Sequence, residues 1–192
     1  MKERTYTASA LAAMLRRMRV VLFAAALCIS AGSAFAAPPS GYSPYTGSEP
    51  IIASVDSQTN TVTLNLVGAE GNNNDGYNFN TYANGDMIID IPQGWTVNVT
   101  FTVQGQTAHS AVIVPWSNRS GNSFIQDAFP GSGVTGARSG YTQDDPPQHF
   151  TFTASSAGQY AIICAVPGHV DVGMWDEMDV VEGLAAPQVY VK

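Results

Sequence analysis

The residues best suited to chemistry lie close together near the carboxyl end of the chain. Cys164, His169 and Met174 follow the pattern C-x4-H-x4-M. Thiolate, imidazole and thioether groups are donors that soft transition metals accept. The apolar run that ends at Cys164 predicts a strand, and Pro167 and Gly168 predict a turn soon after it. We therefore expect one short loop to bring three donor side chains to a single point.

A fourth donor must come from elsewhere in the chain, and two histidines compete for this position. His109 precedes the apolar run at residues 110–114, which predicts a buried strand, and His149 precedes residues 150–153. We expect residues 150–153 to form a hairpin with residues 159–163, because a turn rich in small residues separates them. The orientation of side chains along this hairpin then decides between the two histidines.

The alternation of side chains along that hairpin favours His109. If Phe150 and Phe152 face the same core as Cys164, then His149 points to the opposite face of its strand. A slip of one residue would reverse this, so His149 remains the alternative. With His109, the predicted set is two histidines, one cysteine and one methionine, which is the donor set of a blue-copper electron-transfer site.

Each of these residues also has an ordinary structural interpretation. A cysteine can be an inert core residue, a methionine can fill a gap, and a histidine can lie at the end of a strand or in a loop. The combination favours metal binding, because the chain has only three histidines and Cys164 is its only cysteine after residue 36. Zinc fits poorly, since structural zinc sites use four cysteine or histidine ligands.

The first 36 residues have the features of a secretory signal peptide. Basic residues precede an apolar run at residues 20–31, and small residues near Ala36 fit a cleavage site. The apolar run is shorter than the roughly 20 residues of a transmembrane helix. Twin-arginine export through Arg16 and Arg17, and a lipid anchor at Cys28, fit the leader less well. We expect an exported, periplasmic product without stable membrane insertion.

The remaining chain is acidic and long enough for one domain. We expect an irregular lead-in at residues 37–50 and a single domain at residues 51–192, a size that can bury a core without disulfide bonds. Beyond the leader, three basic residues stand against fourteen acidic ones. This balance argues against nucleic acid and anionic membranes as partners. An unpaired cysteine is prone to oxidation in an oxidising compartment, so the presence of Cys164 alone favours a functional role for its thiol.

Nine short apolar or β-branched runs predict an all-β fold. Turns rich in glycine, asparagine and proline separate them, and no comparable amphipathic helix is present. Many short strands joined in this way indicate a β-sandwich or barrel. Residues 72–76 and 116–148 predict loops, the first of them with no chemistry assigned. The nine runs are residues 51–55, 61–67, 87–91, 96–103, 110–114, 150–154, 159–163, 177–181 and 188–191.

Four stretches of the chain resemble a known protein family. They are residues 77–85, 91–101, 108–110 and 161–175, and the most specific features are Pro-Gly-His and Gly-Met-Trp within the last stretch. In these stretches the chain resembles the sulfocyanin family of cupredoxins and, more distantly, the rusticyanins. The resemblance covers most of the chain from about residue 51 onward.

This resemblance implies a cupredoxin-like Greek-key β-sandwich that holds one copper ion alternating between Cu(I) and Cu(II). His109, Cys164, His169 and Met174 take the four ligand positions of the family. The implied partners are redox proteins such as a cytochrome or a terminal oxidase. The resemblance also implies that electrons enter and leave the copper site through His169. Ser110 is a departure, because cupredoxins often have asparagine there, so we expect different hydrogen bonding near the cysteine sulfur.

Other functions that use copper fit the sequence less well. Four protein donors leave no metal position free for a substrate, so we expect an electron-transfer protein and not an enzyme. A copper oxidase needs paired His-x-His segments, and a dinuclear copper subunit needs a second cysteine in the loop. A non-redox copper store or chaperone is the alternative. It would use exposed clusters of methionine and histidine, whereas Met87 and Met178 lie in or beside strand patterns.

Overall fold

The computed structural model describes residues 38–47, 52–120 and 126–192, so the predicted signal peptide and Cys28 lie outside the described residues. No helix within these ranges is long and apolar enough to cross a membrane. The described strands are β1 (Ser43–Pro44), β2 (Ala53–Asp56), β3 (Thr61–Gly68), β4 (Met87–Pro92), β5 (Thr96–Val103), β6 (Val112–Pro115), β7 (Gln148–Thr153), β8 (Gly158–Ile163), β9 (Trp175–Val181) and β10 (Gln188–Val191).

The strands form two sheets that face each other. One sheet has six strands in the order β1-β10-β4-β9-β8-β6, and the other has four in the order β2-β3-β5-β7. Consecutive strands lie in different sheets from β1 to β2 and at every connection from β3 to β8. Pairing is antiparallel except for β3 with β5 and β4 with β9. The prediction of an all-β, cupredoxin-like Greek-key β-sandwich is confirmed.

The alternating sequence pattern explains why the strands form this sandwich. In β5, for example, the buried residues alternate with partly exposed ones along the whole strand. Such a strand buries one face only, and the two sheets can cover each other's apolar faces. The main core lies between the sheets and includes Phe101 of β5, Ile89 of β4 and Ile162 of β8. Cys164 and Met174 belong to the same core, so the candidate metal donors lie inside the sandwich.

The nine predicted runs all contain a strand, and the boundaries differ by at most two residues. Sequence reasoning missed β1, a two-residue strand in the predicted lead-in that pairs with β10 at Val191 and Tyr190. Its residues, Ser43 and Pro44, have no alternating apolar pattern, so only the tertiary pairing reveals them. The boundaries at residues 36 and 50 remain predictions.

The predicted hairpin between residues 150–153 and 159–163 is wrong. β7 pairs with β5 in the four-stranded sheet, whereas β8 pairs with β6 and β9 in the other sheet. The chain changes sheets after the buried Ala154, whose N–H donates to the Trp95 carbonyl at 3.0 Å. Two strands that face each other across a core have the same alternation as a hairpin, so the sequence pattern does not distinguish the two arrangements.

Carboxyl groups meet on the outer face of the six-stranded sheet. Asp90 of β4 is the register partner of Asp179 of β9, and Glu177 lies on the same face two residues before Asp179. Burial, with the nearby Glu177 adding to it, raises the pKa of Asp90 to about 6 and that of Asp179 to about 7. The polar groups that flank this pair on the neighbouring strands are Gln159, Gln188 and Tyr190.

This carboxyl pair makes a contribution to the stability of the folded chain that grows on mild acidification. Because the pKa values in the folded state lie above the ordinary 3.8, the folded chain holds more protons than the unfolded chain between about pH 4 and about pH 7. The pair should therefore add on the order of 2 kcal/mol to the free energy of unfolding between about pH 7.5 and about pH 5, a value reduced by solvent access, whereas His109 and His169, whose pKa values are lowered by burial, act in the opposite direction. Urea denaturation of the copper-free protein measures it.

The Asp90→Asn, Asp179→Asn double variant is the control for this effect. It lacks these two titrations but keeps those of His109 and His169, so the free energy of unfolding of the wild type should rise relative to that of the double variant as the pH falls over this interval. Fully buried Asp176, whose pKa is also raised by burial, contributes in the same direction and is left in place. An equal pH dependence in the wild type and the double variant would contradict the assignment.

Candidate metal centre

The loop at residues 164–174, hereafter the Cys-His-Met loop, folds back on itself directly after β8. The Cys164 N–H donates to the Met174 carbonyl at 3.1 Å, and the Met174 N–H donates to the His169 carbonyl at 3.0 Å. Two glycines allow these reversals, since Gly168 has φ +89° and Gly173 has φ +96°. The backbone therefore closes into a compact loop that carries all three donor side chains to one end of the core.

His109 reaches the same point from the connection between β5 and β6. Its backbone forms a two-way bridge with Tyr141, with hydrogen bonds of 2.8 and 2.7 Å. Gly140 lies so close that a side chain there would come within 3.0 Å of the His109 nitrogen, and its φ is +71°. The predicted surface excursion thus has a structural role, because it fixes the backbone of His109.

The four predicted donor residues meet in the structure. The Nδ1 atoms of His109 and His169 are 3.3 Å apart, and the Cys164 Sγ lies 3.3 Å from Nδ1 of His169. The Met174 Sδ lies 3.0 Å from Nδ1 of His109. All four side chains are buried, with His169 the most exposed of them at 9%. The donor atoms converge on one enclosed point.

These separations fit a shared metal ion. The possible ligand atoms of His109, Cys164 and His169 all lie within 4.8 Å of one another. A metal that binds nitrogen at about 2.0 Å and thiolate at about 2.3 Å with near-tetrahedral angles holds such donors roughly 3.3–3.5 Å apart. The fourth donor is a thioether, which suits copper in a His2Cys site with a weak axial ligand better than it suits zinc.

The electrostatics of the site also favour a cation. Burial, with His169 adding to it, lowers the pKa of His109 to about 4, and burial lowers the pKa of His169 as well. Both imidazoles are therefore neutral at pH 7 and have a lone pair to donate. Burial raises the pKa of the Cys164 thiol, against the lowering effect of nearby backbone N–H groups. A metal cation that displaces the thiol proton would stabilise the negative charge of the buried thiolate.

His149, the alternative fourth donor, lies away from the site. It is exposed on β7, and its Nδ1 is 3.2 Å from the Thr100 hydroxyl on the neighbouring strand β5. Phe150 and Phe152 of the same strand are buried, as the alternation predicted. The prediction about the orientation of His149 is therefore correct, although the hairpin used to derive it is not.

Ser110 connects the two parts of the site. Its backbone N–H donates to the Cys164 Sγ at 3.3 Å, and its Oγ lies 3.8 Å from the same sulfur. The Oγ also accepts a 2.9 Å hydrogen bond from the N–H of Ala165, and both residues are buried. The serine side chain therefore ties the strand after His109 to the start of the Cys-His-Met loop.

We expect Ser110→Ala to lower the free energy of unfolding of the copper-free protein by about 1–2 kcal/mol. The substitution leaves the buried N–H of Ala165 without its acceptor, and an unsatisfied buried donor costs about that much. Urea denaturation measures the change. Ser117→Ala is the matched control, since Ser117 is exposed, and should stay within about 0.5 kcal/mol of the wild type. Equal effects of the two substitutions would contradict this role.

Tyr77 is a residue near the site to which sequence reasoning gave no role. Its ring lies edge-on to both imidazoles, with centroid distances of 4.8 Å to His169 and 6.0 Å to His109. Tyr77 begins one of the stretches that carry the family resemblance, which was the only signal for it in the sequence. No local pattern connects it to residues so far along the chain.

Comparisons with known proteins show which family the chain is similar to. A family model described as the sulfocyanin (SoxE) domain matches residues 48–129 and 131–191. Sulfocyanin from Sulfolobus acidocaldarius is 26% identical over 146 residues, which cover 70% of this chain and 71% of the relative.

Solved structures with a similar chain path include two copper proteins. Auracyanin A, a blue copper protein from Chloroflexus aurantiacus, is 20% identical, with 63% of this chain and 99% of that chain covered and a TM-score of 0.42. Rusticyanin from Thiobacillus ferrooxidans is 23% identical, with 68% and 86% covered and a TM-score of 0.42.

Proposed function

This chain belongs to the sulfocyanin (SoxE) domain family, and from this premise we propose that it is an exported blue-copper protein that carries single electrons between redox partners. The cofactor is one copper ion. We assign His109, Cys164, His169 and Met174 as its ligands. The observation that carries the proposal is the convergence of two imidazole nitrogens, one cysteine sulfur and one thioether sulfur in a buried site.

The residues of the chain would support electron transfer by holding their donor atoms still. Copper supplies the one-electron change between Cu(I) and Cu(II) when bound. Thiolate and thioether suit the reduced ion and imidazole suits both, so this mixed set is a compromise between the two oxidation states. The donors are buried and hydrogen-bonded through Ser110 and the loop backbone, which opposes their rearrangement. Four protein donors also leave no open position for a substrate, which favours a carrier over an enzyme.

The route for electrons would run through His169. This histidine is the most exposed of the four donor residues, and its loop exposes two apolar side chains. Val172 of that loop is 51% exposed, although valine is usually buried, and Pro167 is exposed as well. A small number of exposed apolar side chains suits brief contacts with a redox protein, because weak electron-transfer interfaces are small. We propose a cytochrome or a terminal oxidase as the class of partner.

The alternative of a non-redox copper store or chaperone has less support. Met87 and Met178 are fully buried in β4 and β9, where they pack in the main core. Buried methionines in strands do not form the exposed sulfur clusters that a store would use. The periplasmic location is part of the proposal as well, and it rests on the leader sequence at residues 1–36.

We expect Met174→Leu to keep its copper and its colour but to have a higher reduction potential than the wild type. A thioether would be the weakest of the four copper ligands, so His109, Cys164 and His169 should retain the ion with an affinity loss below about tenfold. Loss of a neutral donor removes some stabilisation of Cu(II), and leucine makes the pocket drier. Voltammetry and copper analysis on the same preparation measure both effects.

The matched control is Met178→Leu, which makes the same change at a fully buried core position. It should leave the potential unchanged, so a shift in Met174→Leu alone reports on the metal site. In a Cu(I) store methionine is a principal ligand, and the same substitution would mainly remove copper. Loss of copper from Met174→Leu without any redox signal would therefore favour the store over the carrier.

A further inference from the structure

The segment at residues 72–85, hereafter the asparagine segment, holds the outer end of the Cys-His-Met loop. Asn74 donates from Nδ2 to the Val172 carbonyl at 2.9 Å, a bond between residues 98 positions apart. The N–H of Asn84 donates to the Gly173 carbonyl at 2.9 Å. A side chain at Gly173 would overlap the Asn84 amide, so the two backbones pack closely. The segment therefore contacts the loop at two consecutive peptide groups just before Met174.

The asparagine segment is itself rigid enough to act as a support. Asn78 is fully buried, and its Oδ1 accepts hydrogen bonds from the N–H groups of Glu70 and Thr81 at 3.1 and 3.2 Å. Its Nδ2 donates to the Asn73 carbonyl at 2.7 Å. Buried amides with all these partners fix the backbone around them. The segment is thus braced by its own side chains before it reaches the loop.

The same asparagine that contacts the loop also fixes Tyr77. Nδ2 of Asn74 donates to the Tyr77 carbonyl at 2.7 Å, and the Tyr77 N–H donates to the Asn74 carbonyl at 2.9 Å. Asn74 has φ +51°, a left-handed conformation that asparagine accepts more readily than most residues. The Tyr77 ring then lies 4.8 Å from the His169 ring at 87°, an edge-on contact. The Asn74 side-chain amide therefore links the backbone of the Cys-His-Met loop to the backbone of Tyr77, whose ring lies beside both imidazoles.

We propose that Asn74 and Tyr77 are positioning residues, which hold the Cys-His-Met loop and the two imidazoles in a single arrangement whether or not copper is bound. The consequence for electron transfer rests on the proposed function, because donors that are held still rearrange little when the charge on copper changes. The mechanical part of the inference rests only on the hydrogen bonds and ring contacts of the chain itself.

Asn74→Gly tests the mechanical part in the copper-free protein. Glycine keeps the positive φ but removes both hydrogen bonds of the amide. Asn60→Gly is the matched control, because Asn60 has φ +50° and is exposed between β2 and β3. Backbone hydrogen exchange at Gly173 and Met174 should become roughly fivefold to tenfold faster in Asn74→Gly, and unchanged in Asn60→Gly. Equal exchange in the two variants would overturn the proposal.

Tyr77→Leu and Tyr77→Phe test the contact with the imidazoles in the copper-loaded protein. Phenylalanine keeps the ring and should preserve the visible spectrum, whereas leucine removes it and should change the spectrum and speed copper release by roughly tenfold. If Tyr77→Leu releases copper at the wild-type rate and has the wild-type visible spectrum, the proposed role of Tyr77 is overturned. A wild-type protein without coloured copper would contradict the proposed function instead, and the hydrogen-exchange comparison would still decide whether the segment holds the loop.

Discussion

Replacing Cys164 with serine is expected to abolish the visible absorption of the copper-loaded protein and to weaken copper binding by at least about 100-fold. The intense band of such a site comes from charge transfer between the thiolate and Cu(II), and a serine hydroxyl is neither ionised nor soft at neutral pH. Removal of a group that merely supports a ligand already costs roughly 10-fold to 100-fold in affinity. Absorption spectroscopy and competition with a chelator measure the two losses.

Ala165→Ser is the matched control for this substitution. It places a hydroxyl at a neighbouring position that is also buried, but whose side chain packs in the apolar cluster on the outer face of the six-stranded sheet. Its colour should survive, so any loss specific to Cys164→Ser is due to the sulfur and not to a buried hydroxyl. Thermal unfolding of both copper-free variants shows whether they fold. A coloured Cys164→Ser protein would remove Cys164 from the ligand set.

The second large effect is expected from His109→Ala, which should alter the visible spectrum and weaken copper binding by about 100-fold or more. The substitution removes one of two neutral imidazoles within 3.3 Å of each other at the site. His149→Ala is the matched control and should change neither quantity by more than about twofold, since its imidazole is exposed and bonded to Thr100. The reverse pattern would show that His149 is the ligand.

The structure offers a further check on His109, namely rescue by free imidazole. An open cleft of about 340 Å³ is lined by His109, Tyr77, Gly76 and Thr107. An imidazole molecule that enters through this cleft can occupy the space left by the deleted side chain. We expect millimolar imidazole, on the order of 10 mM for a weak ligand, to restore much of the colour of His109→Ala. It should have no effect on Cys164→Ser, because imidazole cannot replace the thiolate.

The sequence was sufficient to predict nine of the ten described strands and to bring the donor residues together, because both depend on local patterns. The spacing of Cys164, His169 and Met174 around two turn-forming glycines defines a loop without knowledge of the rest of the fold. The orientation of His149 followed from simple alternation along one strand. These predictions needed only the period of a β-strand and the chemistry of the donors.

The features that were missed depend on which distant segments meet. Asn74 and Val172 are 98 residues apart, and the run of asparagines at residues 72–74 does not indicate which backbone carbonyl the Asn74 side chain contacts. The sheet assignment of β7 failed for the same reason, since its alternation fits a hairpin and a sandwich equally well. Asp176 has an ionisable side chain in a strand, yet it is fully buried, and its Oδ1 accepts a hydrogen bond from the N–H of Met87. Tertiary contacts decide each of these cases.

The measurement that tests the central claim most directly is metal analysis of the purified wild-type protein together with its visible spectrum. The account predicts one copper ion per chain and an intense blue or green colour in the oxidised form. This colour should disappear on addition of one electron per chain and return on reoxidation. Zinc in the site, or copper that stays colourless under oxidising conditions, would contradict the assignment of a blue-copper electron carrier.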